Sequence, residues 1–131
     1  MATDWSGYSG DWPFSDWENE LLTISARPAT GHTLTALATN VKAKADGEQS
    51  GLAISGAGVA HGSYDRRFFF AAAYRNAAGT AKNPRSDGGN DLLALGNILT
   101  DAEGCEWGIT APVNPGGADE HYEVHTTRRM T

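Results

Sequence analysis

Alternation of apolar and polar residues is the clearest pattern in the sequence, and it predicts that the chain folds mainly into β-strands. Residues 33–45 alternate in this way, and a second run after Asp46-Gly47 places Leu52 and Ile54 on one face. Two alternating runs around an Asp-Gly turn predict a β-hairpin. A helix over the first run remains an alternative, because its apolar residues also recur every three or four positions. Its many Thr and Asn residues favour the strand.

The most apolar stretch, residues 66–75, is apolar on both faces of an extended chain. One face would carry Phe68, Phe70, Ala72 and Tyr74, and the other would carry Phe69, Ala71 and Ala73. A strand that is apolar on both faces is typical of the centre of a sandwich or of an interface. The polar residues 76–91 that follow predict a loop, although this loop would be longer than most connections between elements.

The carboxy-terminal third is predicted to contain a hairpin and a final strand. Residues 92–100 and 105–111 are the two arms of the hairpin, joined across residues 101–104, and residues 120–130 form the last strand. A helix over residues 91–103, ended by Gly104, is the alternative to the first arm.

The first 17 residues differ from the rest of the chain. They contain three of the four tryptophans, together with Tyr8 and Phe14, separated by Gly, Ser, Asp and Pro without a helical or strand period. This composition predicts an acidic, extended arm over residues 1–17. Large rings on such an arm need a surface to bury against, which is its own domain, a neighbouring subunit or a ligand such as a sugar. The candidate contact residues are Trp5, Tyr8, Trp12 and Phe14.

Residues 18–131 are predicted to form one β-rich domain, since a chain of 131 residues supports a single core. Its start is ambiguous: residues 15–18 match a helix-capping box, whereas Leu22, Ile24 and Ala26 alternate as in a strand, so residues 16–24 can be either. The predicted fold is mainly β, a small antiparallel sandwich or partly open barrel with one or two short helices. An α+β fold is the alternative.

Charge and hydrophobicity exclude several functional classes. The net charge of −6 argues against a nucleic-acid partner, because binding to phosphates relies on Lys and Arg. No basic residue precedes Arg27, so we expect no signal peptide. The longest apolar run, residues 68–74, is too short to cross a membrane. The single cysteine, Cys105, rules out an internal disulfide and is predicted to be an inert buried thiol beside Trp107.

Two groups of residues could hold a divalent metal. His121, Glu123 and His125 alternate and would share one face of the last strand, as zinc ligands or as an ordinary solvent-facing surface. Asp87 and Asp91 flank a Gly-Gly-Asn segment whose oxygen atoms suit calcium, although the spacing is also that of an ordinary loop. Apart from such a metal, no cofactor is expected.

The sequence contains no nucleophile elbow, phosphate-binding loop, dinucleotide fingerprint or paired-cysteine metal motif, which favours a protein that is not an enzyme. The adjacent Arg66 and Arg67 could engage a carboxylate or phosphate of a partner, or acidic residues nearby. The preferred hypothesis is a structural subunit of a virion, shell or filament, which forms a homo-oligomer or larger assembly through its aromatic arm. The alternatives are a glycan-binding module and a small metal-dependent enzyme that uses His121, Glu123 and His125.

Overall fold

Eleven β-strands and their connecting turns make up the part of the chain that the computed structural model describes. The described residues are 2–10, 18–31, 33–46, 66–111, 114–115 and 121–129. The strands are β1 (Thr3–Asp4), β2 (Ser9–Gly10), β3 (Glu20–Ser25), β4 (Ala36–Ala45), β5 (Arg66–Ala71), β6 (Tyr74–Arg75), β7 (Ala81–Lys82), β8 (Ile98–Thr100), β9 (Glu106–Ile109), β10 (Asn114–Pro115) and β11 (His121–Arg128). Within these residues there is no helix, so neither of the short helices predicted from the sequence is found there.

Six of the strands close into an antiparallel barrel. β3, β4 and β5 are neighbours in chain order, and β8 lies on the other side of β3, which is the arrangement of a Greek key. β9 pairs with β8, and β11 closes the barrel by pairing with both β9 and β5. β1 and β10 add to the barrel wall, while β2, β6 and β7 form a small second sheet. The prediction of a mainly β fold is confirmed, and the barrel is closed rather than partly open.

Large side chains from opposite walls fill the barrel, so it is a packed core. The largest fully buried barrel side chains are Leu22, Ile24, Val41, Phe68, Phe70, Leu99, Trp107 and Val124. Their positions follow the alternation that the sequence shows, since successive residues of a strand point to opposite faces.

The alternation changes phase within β4 at Asn40. This residue has a φ of 59°, in the left-handed region, and both Ala38 and Val41 point inward on either side of it. The alternation predicted for residues 33–45 is therefore correct after Asn40 and wrong before it. The prediction of a strand in this segment is confirmed. Asparagine is one of the few residues other than glycine that adopts this conformation readily.

The two other ambiguous segments also lack a described helix. β3 begins at Glu20, with Leu22 and Ile24 buried and Leu21 exposed, so the strand alternative is correct for the described part of residues 16–24. Residues 91–97 form tight turns that lead into β8. The Asn97 side chain holds these turns, because its amide donates to the Leu92 carbonyl oxygen at 3.0 Å.

The hairpin of β8 and β9 is confirmed, as is the last strand, β11. The prediction of one strand over residues 66–75 is wrong at its end: β5 stops at Ala71, the chain bends, and Tyr74 belongs to the second sheet. The tyrosine hydroxyl donates to the Lys42 carbonyl oxygen at 2.6 Å and accepts from the Ala71 amide at 3.3 Å, which fixes the bend.

The long loop predicted over residues 76–91 contains a strand that the sequence did not reveal. β7 pairs with β6, and Asp87 and Asn90 form an isolated bridge around two glycines with positive φ. The hairpin predicted after Asp46-Gly47 lies outside the described residues from Gly47 onward.

Candidate functional site

The amino-terminal segment, residues 2–10, pairs with the barrel through one short strand and with the second sheet through another. β1 pairs in parallel with β4, where Thr3 is opposite Ala38, and the Trp5 amide donates to the Thr39 carbonyl oxygen at 2.9 Å. β2 pairs with β6 in the second sheet, where Ser9 is opposite Arg75. Residues 2–10 are the described part of the predicted arm.

Trp5 anchors the arm by burying its indole ring completely, at 0% exposure. The ring packs edge-on against Tyr74, with the ring centroids 5.0 Å apart, and Nε1 donates to the Asp87 carboxylate at 3.2 Å. The Lys82 ammonium lies 4.9 Å from the ring centroid. In this arrangement Trp5 is a core residue of its own chain, which is the first of the three surfaces that the sequence left open for its ring.

The other predicted aromatic contact residues differ from Trp5. Tyr8 is only partly buried, and its ring carries the Lys82 ammonium 4.7 Å from its centroid. Trp12 and Phe14 lie outside the described residues. The segment that contains them joins Gly10 to Glu18, and these two residues are linked by a hydrogen bond of 3.4 Å from the Gly10 amide to the glutamate carboxylate.

Asn40 forms the second contact between the barrel and the arm. Its side-chain amide donates to the Asp4 carboxylate at 3.0 Å and to the Ser6 hydroxyl at 3.1 Å. Hydrogen bonds from Ser6 and Asn40 lower the pKa of Asp4 to about 2. Asn40, the left-handed residue that interrupts the alternation in β4, therefore also binds the arm.

Arg66 closes one end of the barrel. Its guanidinium lies between the rings of Phe68 and Trp107, 5.3 and 5.4 Å from their centroids. It ion-pairs with Glu20 at 3.6 Å and with Asp101 at 3.8 Å. The Arg66 side chain is only 16% exposed, and Glu20 and Asp101 belong to its own barrel. These contacts therefore stabilise the fold.

Asp101 organises the same end of the barrel. Its carboxylate accepts hydrogen bonds from the Trp107 indole at 3.2 Å and from the amides of Cys105 and Glu103 at 2.9 and 3.0 Å. Burial raises the pKa of the neighbouring Glu20; the positive charge of Arg66 opposes this, and the negative charges of Asp101 and Glu103 add to it. We call Glu20, Arg66 and Asp101 the end cluster.

Replacing Glu20 with glutamine should change how stability depends on pH. Because the folded-state pKa of Glu20 is raised, its carboxyl favours the folded state at low pH and loses this contribution as pH rises through that pKa. Glutamine does not titrate, so the melting temperature of Glu20→Gln relative to the original chain should rise between about pH 4 and about pH 7.

Asp46→Asn is the matched control for this measurement, with the opposite sign. Burial would raise the pKa of Asp46, but Lys44 and Arg67 lower it overall, so its carboxylate stabilises the fold at higher pH. The relative melting temperature of Asp46→Asn should therefore fall as pH rises to about 5, and then stay level up to about pH 7, where that of Glu20→Gln still rises. Parallel curves for the two variants would contradict this account of the end cluster.

The outer face of β4, β5 and β11 carries a row of alternating charges. Lys44 pairs with Asp46 at 3.0 Å, and Asp46 pairs with Arg67 at 2.8 Å. Arg67 also reaches Glu123 at 3.6 Å, and Glu123 contacts His125 Nε2 at 2.5 Å. Arg67 thus forms ion pairs with two carboxylates of its own barrel.

His121, Glu123 and His125 share the outer face of β11, as predicted, but they do not converge. His121 packs on the Phe69 ring at 5.9 Å, whereas His125 pairs with Glu123. Residues four apart on a strand are separated by roughly 13 Å, whereas two ligands of one zinc ion lie a few Å apart. The described residues contain no group of three or more His, Cys, Asp or Glu side chains placed to hold a metal ion.

The second predicted metal site is also engaged in protein contacts. Asp87 accepts the Trp5 indole hydrogen bond, and Asp91 pairs with Arg85 at 3.3 Å and accepts from the Leu93 amide at 3.0 Å. The loop therefore uses its carboxylates to hold the arm and its own turns.

Cys105 lies on a small open pocket instead of being fully buried. The thiol is partly exposed, and the Arg128 guanidinium donates to its sulfur at 3.5 Å while lying 5.9 Å from the Trp107 ring centroid. The pocket has a volume of about 190 Å³ and is lined by Glu103, Gly104, Cys105, Glu106, Arg128 and Arg129. The prediction of a position near Trp107 is correct, and the prediction of burial is wrong.

No protein-family model, curated protein or solved structure significantly matches the chain. In the described part of the chain, no helix is long and apolar enough to traverse a bilayer. The arm, the groups of β4 and the second sheet that bind it, and the end cluster are the features that a proposal about function has to explain.

Proposed function

We propose that the chain is a non-enzymatic structural subunit that assembles into a homo-oligomer or larger array, such as a shell, virion or filament. In this proposal the barrel is the rigid body, and the amino-terminal segment carries the aromatic residues that contact neighbouring subunits. Trp12, Phe14 and Tyr8 are the proposed contact residues.

The observation that carries the proposal is the burial of Trp5. It holds the arm on the barrel wall up to Gly10, so the aromatic stretch that follows in the sequence starts from a fixed point. That stretch, residues 11–17, contains Trp12, Phe14 and Trp17. Rings of this kind dominate the binding energy of protein interfaces, and fixing their attachment point lowers the entropy lost on association.

The barrel fits the role of a scaffold. Its interior is filled by side chains. At one end Arg66 forms ion pairs with Glu20 and Asp101, and the Trp107 indole donates a hydrogen bond to Asp101. A barrel braced in this way presents a fixed outer surface. Such a surface suits repeated contacts between identical subunits.

Light scattering coupled to size-exclusion chromatography tests the proposal. The chain should elute as an oligomer, and the double variant Trp12→Ser/Phe14→Ser should lower the mass toward that of a monomer while keeping the far-ultraviolet circular dichroism spectrum of the original chain. Leu95→Ser is the matched control, since Leu95 is 53% exposed and lies outside the arm, and its oligomer should persist. A monomer at high protein concentration, unchanged by the double variant, would refute the proposal.

A further inference from the structure

We infer that the outer face of β4, β5 and β11 is a contact between two copies of the chain, which joins their barrels about a two-fold axis. The inference rests on the proposed function, because it needs an oligomer. It adds a contact made by the barrel itself to the contacts proposed for the aromatic segment. We call this surface the charged face, and it consists of Lys44, Asp46, Arg67, Phe69, Glu123 and His125.

An aromatic ring lies at the centre of the charged face. Phe68 and Phe70 point into the core, so Phe69 between them points to the outside of the barrel wall, where it is only partly buried. It belongs to the middle strand of the three, and the register places it directly opposite Lys44 on β4 and Glu123 on β11. An apolar centre with a polar rim is the usual anatomy of a protein interface.

The charged face has no net charge when His125 is neutral, although the whole chain has a net charge of −6. Lys44 and Arg67 balance Asp46 and Glu123, and ion pairs of 3.0, 2.8 and 3.6 Å join the four groups into one row. The excess of acidic residues therefore lies elsewhere in the chain. Two copies repel each other less at this face than they would at an acidic surface.

The order of the charges makes the charged face complementary to itself. Lys44 and Glu123 lie on either side of Phe69, one strand spacing away. A two-fold axis along β5 places β4 of each copy opposite β11 of the other. Lys44 then faces Glu123 in both halves of the contact, and the two Phe69 rings meet at the axis. By the same rotation Asp46 faces His125, since both flank Arg67.

The two Arg67 side chains also meet near this axis, and their own carboxylate partners offset the repulsion between them. Each guanidinium is paired with Asp46 at 2.8 Å and with Glu123 at 3.6 Å in its own barrel. The contact therefore brings four carboxylates around two guanidinium groups. A guanidinium has five N–H donors, so it can bind more than one carboxylate at a time.

The shape of a barrel wall suits this arrangement. Two curved walls approach each other most closely along one line and diverge on either side of it. The Phe69 ring lies on that line, whereas the flanking Lys44 and Glu123 have long side chains that extend across the widening gap. The five charged or titratable side chains of the face are between 25% and 36% exposed, so they are accessible to a second copy.

Charge reversal in the full-length chain tests the contact. Lys44→Glu sets carboxylates against carboxylates across the axis, and Glu123→Lys sets ammonium groups against ammonium groups, so each variant alone should lose the contact. The mass measured by light scattering should fall by about half or more, as expected when a two-fold contact is lost. An equimolar mixture of the two variants should regain the original mass, because each new carboxylate then faces a new ammonium group.

Lys42→Glu is the matched control, since it makes the same change of charge on β4 two residues from Lys44 and outside the charged face. Its oligomer should persist. Recovery on mixing also shows that both test variants are folded. Single variants that keep the original mass, or a mixture that does not regain it, would overturn the two-fold contact and leave the proposed function standing. A monomeric original chain in the same experiment would overturn both.

Discussion

Replacing Trp5 with alanine is expected to lower the free energy of unfolding by about 3–5 kcal/mol, the usual cost of removing a fully buried large aromatic side chain. The indole has no exposed surface, so its removal leaves a void between the arm, Tyr74 and the loop that carries Asp87. The Asp87 carboxylate also loses its donor, and a buried charged acceptor is costly to leave unpaired. Urea unfolding followed by circular dichroism measures the change.

Two further variants separate the contributions of the ring and the hydrogen bond. Trp5→Phe keeps most of the ring packing but removes the indole N–H, so we expect a loss of about 1–3 kcal/mol. Tyr8→Ala removes a partly exposed ring of the same arm and should cost less than Trp5→Ala. If Tyr8→Ala were as damaging as Trp5→Ala, Trp5 would not be the anchor of the arm.

Most strands of the barrel were predictable, because burial inside one barrel wall imposes a period of two on the sequence. β9 and β11 follow this rule, and their hairpin and terminal positions were predicted correctly. The prediction was wrong where backbone conformation overrides the period: at Asn40, where a left-handed residue shifts the phase, and at Ala72, where the chain leaves the barrel. A single asparagine or alanine in an apolar run does not reveal such a change.

The end cluster was not predictable, for a different reason. Glu20, Arg66 and Asp101 are far apart in the sequence, and only closure of the barrel brings them together. The sequence does not distinguish the adjacent Arg66 and Arg67, whereas the geometry of a strand directs their side chains to opposite faces. The same limit applies to Trp5 and Asp87, which are 82 positions apart.

Replacing Arg66 with methionine is expected to cost about 3–5 kcal/mol of folding free energy, because it leaves two carboxylates at the barrel end without their shared cation. Methionine keeps the apolar packing between Phe68 and Trp107, so the loss reports on the charge and on the 2.7 Å hydrogen bond that Arg66 Nε donates to the Asp46 carbonyl oxygen. Arg67→Met is the matched control one position along: its side chain is 36% exposed, and we expect at most about 1 kcal/mol there.

A compensating variant shows whether unpaired charge is the cause. Adding Glu20→Gln to Arg66→Met removes the carboxylate whose pKa is raised, and should recover part of the lost stability. Asp101 keeps its donors from Trp107 and Cys105, so the rescue should be incomplete. If Glu20→Gln instead lowers the free energy of unfolding further, as expected for two independent sites, the three residues do not act as a unit. Arg66 would then stabilise the fold only by its packing.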